Sequence, residues 1–231
     1  MLKHPFKTSL LFGIPMLIMG GILLFINPRA EANLAEGFYT PIIAFEFIQS
    51  AVEVRNYFQV EFPNIYRNDM MLGNNLDFLF MFFYSAFLGF TGLGILKETK
   101  ERALWLPIVL TIVMFFADLF ENLTMASIIT DHFNGKVIVP SYFGNLKFFT
   151  WLKWGSIAAV LLMYSGYFWQ RNKWAKIIAV VAAINFAVAI AAFFHRSVLN
   201  EIMASMVILL FLMVFIHNVT FKTRMLQSEK L

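Results

Sequence analysis

Residues 104–130 read LWLPIVLTIVMFFADLFENLTMASIIT, and this stretch decides the fold class. At about 1.5 Å of rise per residue, a helix of this length crosses a hydrocarbon core about 30 Å thick. Toward its far end it carries Asp118, Glu121 and Asn122. Their spacing of i, i+3 and i+4 puts all three on one helix face, which Thr111 and Met125 extend by one repeat in each direction. Polar groups stacked so closely cannot face lipid. The helix must turn them toward a bundle interior or a water-filled cavity, so other spans have to surround it.

The composition agrees. Of 231 residues, 60% are apolar and 14% charged, with a mean hydropathy of +0.71. An ordinary soluble domain has about 25% charged residues, so too few charges remain here to cover a globular surface. Disorder, collagen and coiled coil are excluded on the same grounds. The chain has no cysteine, which removes disulfides, thiolate nucleophiles, cysteine-based zinc sites and iron–sulfur clusters. The net charge of +4 is the excess expected of Lys and Arg held on the cytoplasmic side of a membrane. No basic patch with interleaved aromatics supports a nucleic-acid partner.

Six stretches qualify as spans, near residues 9–26, 76–96, 104–130, 148–169, 175–194 and 202–217. The expected class is an all-α, six-helix polytopic bundle forming a single membrane domain over 1–231, with the lipid bilayer as its first partner. Ala30-Glu31-Ala32 has the form of a signal-peptidase site. The apolar run before it exceeds the usual signal core, so the first span reads as an uncleaved anchor. Counting basic residues orients the chain. With the N-terminus inside, the cytoplasmic segments hold eleven Lys and Arg and the outer segments six, Lys153 lying within a span. Both termini are therefore expected in the cytoplasm, in the setting of a bacterial inner membrane. The inner links, 97–103 and 170–174, are brief, whereas 27–75 is a long outer excursion. Trp105, Trp169 and Trp174 fall at inner boundaries and Trp151 and Trp154 near an outer one, as in an interfacial belt.

Within the long excursion, Thr40-Pro41 is a helix start, and Glu46, Gln49, Ser50, Glu53 and Tyr57 recur on one face. The sequence predicts one amphipathic helix over 41–58. Its first reading is a helix lying on the outer membrane surface. The sharper reading is a lid helix whose Glu46 and Glu53 look into the bundle.

Depth brings further residues together. Asp118 lies about 20 Å above the inner boundary, and Lys153 on the next span about 22 Å above it, so an ion pair between Lys153 and Asp118 or Glu121 is expected. Asp77 and Tyr84 share a face of the second span. Asn185 and Arg196 share a face of the fifth. The expected site is thus Asp118, Glu121, Asn122, Lys153, Asp77, Tyr84, Asn185 and Arg196. They would line a polar cavity open to the outside and sealed below by Phe, Leu and Met.

Buried carboxylates one turn apart suit proton carriage or cation binding, and equally general acid–base work. The leading expectation is binding or transport of a small molecule, ion or lipid, with a homo-oligomer anticipated from the small size of the chain. The alternatives are an enzyme acting on a lipid-like substrate at the outer leaflet and a non-catalytic accessory subunit. His132 and His195 lack the spacing of known metal motifs, so neither a metal nor another cofactor is expected.

The charge division makes a prediction about topology. Reporter fusions after Lys100 and Arg171 should read cytoplasmic, and one after Gly135 should read external. The reverse pattern would invert every depth assigned above.

Overall fold

The computed structural model describes residues 4–26 and 33–228, and of 222–228 the backbone alone. Lys3, Arg29, Lys230 and the Ala30-Glu31-Ala32 motif lie outside those residues. The protein is all-α. Its helices are α1 (Pro5–Ile26), α2 (Pro41–Glu46), α3 (Ala51–Tyr57), α4 (Pro63–Thr99), α5 (Trp105–Phe133), α6 (Ser141–Trp169), α7 (Lys173–Phe194) and α8 (Val198–Ser228). Six of these, all but α2 and α3, are long and apolar enough to cross a membrane.

The six long helices close into a ring in which α1 packs on α4, α4 on α5, α5 on α6, α6 on α7, α7 on α8 and α8 back on α1. The α6 helix also touches α4, α8 and the short α2, which makes it the hub. Buried α6 side chains include Thr150, Lys153, Ser156, Ile157, Val160, Leu161, Tyr164 and Phe168. The end of the bundle that carries α2 and α3 is called the lid end below.

Three helices, α4, α6 and α8, run well past the bounds that hydropathy predicts, and α6 begins at Ser141 rather than 148. The α4 helix begins at Pro63, thirteen residues before the expected start at 76, because PNIYRNDMMLGNN is amphipathic rather than irregular. Tyr66, Met70, Gly73 and Asn74 recur at helical spacing and are buried, while the polar residues between them stay out. Beyond 217, α8 continues with Asn218 buried inside the bundle. Its Nδ2 donates to Ser9 Oγ at 3.0 Å and Thr91 Oγ1 at 2.8 Å, tying α8 to α1 and α4. This uncharged knot at the end away from the lid was not anticipated.

The expected single helix over 41–58 is instead two helices meeting at a corner. Ser50 caps α3, accepting from the Glu53 N–H at 3.2 Å, and Glu53 Oε2 accepts from the Gln49 N–H at 3.3 Å. The S-x-x-E pattern of a capping box was present in the sequence at Ser50-Ala51-Val52-Glu53. The corner is also why Glu46 and Glu53 diverge. Nor do the two helices lie loosely on a surface: Ile43, Ala44, Phe45, Phe47, Ile48, Val54 and Tyr57 are all buried. Phe45 packs on Tyr57 and Phe58, and Tyr57 on Tyr66, with ring centroids 5.0–5.8 Å apart. The Tyr57 hydroxyl donates to the Pro41 carbonyl at 3.0 Å, locking α3 onto the start of α2.

Close approach between α4 and α6 depends on Gly92. A Cβ there would lie 2.1 Å from Tyr164 Oη and 2.9 Å from Ile108 Cγ1, and Tyr164 itself is held by donation to the Leu88 carbonyl at 3.0 Å. Gly155, on the outer face of α6, has nothing within 4 Å of such an atom. Gly92→Ala should therefore lower the melting temperature in detergent by an overpacking cost of about 1–3 kcal/mol, while Gly155→Ala is neutral.

Candidate functional site

The buried charge is centred on Lys153. Its Nζ lies 3.0 Å from Glu46 Oε1 and 3.5 Å from Asp118 Oδ1, and it also pairs with Glu121 Oε2. The expected pairing of Lys153 with the α5 acids is present, and it takes in both of them. Residue exposures are 5% for Lys153, 7% for Glu46, 1% for Asp118 and 0% for Glu121, so the group is shut away from solvent. An isolated charge in such a place would cost many kcal/mol, and only pairing with full hydrogen bonding makes it tolerable.

Each acid has a second support. The Tyr84 hydroxyl from α4 donates to Asp118 Oδ2 at 2.5 Å. Thr150 Oγ1, one turn before Lys153 on α6, lies 2.5 Å from Glu121 Oε1 and 3.1 Å from the Glu46 carbonyl. Trp154 Nε1 donates to Glu46 Oε2 at 2.8 Å. Trp154 is thus a site residue and not a member of an interfacial belt. Asn122 extends the network by donating from Nδ2 to Asp77 Oδ2 at 2.7 Å, and Asn74 Nδ2 donates to the Asn122 carbonyl at 3.2 Å. Burial raises the Glu46 carboxyl above its ordinary value, against the opposing pull of Lys153 and the Trp154 N–H.

Of the residues anticipated, Asp118, Glu121, Asn122, Lys153, Asp77 and Tyr84 converge, and the lid candidate Glu46 joins them. Thr150, Trp154 and Asn74 were missed, because a hydroxyl, an indole and an amide near a span end carry no signal until their partners are known. Asn185 does not converge. It is fully buried on the face of α7 that meets α6 and α8, and both of its amide atoms lack a partner. Arg196 does not converge either: it makes a two-pronged pair with Glu53, Nη1 to Oε1 at 3.1 Å and Nη2 to Oε2 at 2.7 Å. The expected open cavity is also corrected. Glu46 and α2 fill the space over Lys153, so the acidic group is closed at the lid end. His132 stacks on Phe58 with centroids 5.2 Å apart.

A second acid holds the lid from the far side of the ring. Glu201, in the first turn of α8, accepts from the backbone N–H groups of Tyr39 and Thr40 at 2.9 and 2.8 Å. It thereby anchors the residues that lead into α2. Among the described residues, no group of three or more His, Asp and Glu is arranged to hold a metal ion. The carboxylates point at an ammonium instead.

Compared with models of known protein families, with curated proteins and with solved structures, the chain matches none.

The geometry predicts an asymmetry between partners. Lys153→Met strands three buried carboxylates and should destabilise the detergent-solubilised protein by about 3–5 kcal/mol. Combining it with Asp118→Asn should recover part of that loss, which a double-mutant cycle of melting temperatures would measure.

Proposed function

We infer that this multi-pass membrane protein binds or transports a small molecule, ion or lipid, and that protons on the Lys153 cluster gate its lid. The reading rests on one observation. A single buried ammonium is shared by three carboxylates, and one of these, Glu46, comes from the short α2 rather than from a membrane-length helix. Three acids against one base leave an excess of negative charge shut away from solvent, and burial raises the carboxyl of Glu46, the acid on α2, above its ordinary value.

The hydroxyl geometry supports the same reading. Thr150 has one hydrogen but two acceptor oxygens within reach, on Glu121 and on the Glu46 backbone. A proton on Glu121 would satisfy the first of these and free the hydroxyl for the second. Protonating Glu46 would remove its charge from Lys153 and weaken the hold on α2. Deprotonation would restore it. With the basic-residue division, the lid end is read as extracytoplasmic and both termini as cytoplasmic.

A second reading, that of an accessory subunit whose polar knot only fixes helix packing, is favoured by the internal partners that each charged member of the cluster already has. One substitution separates the two. Asp118→Asn keeps the shape and leaves Lys153 two acids, so the protein should fold with an unchanged or raised melting temperature. If the cluster moves protons, the variant should fail to restore the growth of a deletion strain. A stable Asp118→Asn protein that complements fully would establish the packing role instead.

A further inference from the structure

The lid has a second face. Opposite its contact with Lys153, α2 and α3 wall a half-open cavity of about 350 Å³, lined by Asn33, Leu34, Ala35, Ala44, Ile48, Glu53, Asn56, Tyr57, Gln59 and Arg196. That volume is at the low end of small-molecule sites, which run from about 300 to 1,000 Å³. Its lining is mixed. Leu34, Ala35, Ala44 and Ile48 form an apolar wall, and the Tyr57 hydroxyl is turned away onto the Pro41 carbonyl.

The charges of the cavity cancel within it. Both guanidinium Nη atoms of Arg196 are bound to the Glu53 carboxylate, and the guanidinium carbon lies 5.4 Å from the Phe38 ring centre. An anion would approach Arg196, and a cation would approach Glu53. Either would have to break a two-pronged, charge-assisted pair to gain a partner. What remains for a ligand is neutral hydrogen bonding by the side-chain amides of the exposed residues Asn33, Asn56 and Gln59, each both donor and acceptor. The hydroxyl group is the common ligand group that meets donors and acceptors at once.

We propose that this cavity binds an uncharged, hydroxyl-rich group of about the size of one sugar ring, either as a free polyol or as the headgroup of a glycolipid. The three amides hold the hydroxyls, and Leu34, Ala35, Ala44 and Ile48 receive the apolar face of the ring. The cavity shares α2 and α3 with the Lys153 cluster, so an occupant would brace the lid from its other side. Binding stands on the pocket alone and does not require proton exchange at the cluster.

The test uses the full chain in phosphatidylcholine nanodiscs, free of glycoside detergents that would compete. Two probes are compared, methyl glucoside and a diacylglycerol bearing a single hexose, with inorganic phosphate and choline as charged controls. The expected result is saturable binding of at least one sugar probe, weakened about tenfold or more by Asn56→Leu combined with Gln59→Leu. These two positions are exposed, so melting should not change. Ala35→Trp, which fills the cavity from its rim, should produce the same loss. Binding of the free glucoside assigns a soluble polyol, and binding of the lipid alone assigns a headgroup. Failure of both sugar probes, tighter binding of phosphate or choline, or sugar binding that ignores both sets of variants would overturn the proposal.

Discussion

A lysine ammonium cannot stay charged away from water unless anions surround it, and that requirement organises the lid end of this protein. Lys153 sits on α6, the helix that touches most of the others. Its partners arrive from two directions: Asp118 and Glu121 from α5, and Glu46 from α2. Each acid also meets a neutral donor, Tyr84 on α4 for Asp118, and Thr150 and Trp154 on α6 for Glu121 and Glu46. The network therefore fixes the rotation of α4, α5 and α6 relative to one another. It also gives a short segment with no span of its own a reason to enter the bundle. A buried charge network of this kind is weak evidence for stability, because apolar packing of equal volume often does better.

The lid is held at three separate places. Glu46 meets Lys153, Glu201 receives the N–H groups that precede α2, and Glu53 grips Arg196 after α7. The first contact is buried and the third is partly exposed to solvent, so they respond differently to their surroundings. Salt screens the exposed Arg196–Glu53 pair more strongly than the buried one. Between them, the aromatic cluster of Phe45, Tyr57, Phe58 and Tyr66 makes α2, α3 and the first turns of α4 one packed unit. Motion of the lid would involve that unit and not α2 alone.

Much of this was legible in the residue order. Six apolar runs gave six long helices, because the bilayer constraint acts on composition and length, which a sequence displays directly. The meeting of Lys153 with Asp118 and Glu121 followed from helical rise alone, since the two spans are sequential and antiparallel neighbours share depth. What failed had separate causes. Hydropathy windows do not see amphipathic turns, so the start of α4 and the end of α8 were cut short. Sharing a face along one helix does not say what that face meets. Asn185 and Arg196 were grouped by an eleven-residue spacing, yet α7 directs Asn185 between α6 and α8, and Arg196 lies past the end of the helix, at Glu53. Glu46 does look into the bundle as a lid residue would, whereas Glu53 turns to Arg196, because the chain corners at Ser50, whose S-x-x-E pattern is a capping box.

The central claim is that Lys153 holds the lid in place through Glu46. Hydrogen exchange of the backbone amides of residues 41–49 measures this directly, comparing the wild-type chain with Lys153→Met in the same nanodiscs. The account predicts exchange in that segment faster by about tenfold or more in the variant, with the amides of α7 unchanged. Equal exchange of residues 41–49 in the two proteins would contradict it.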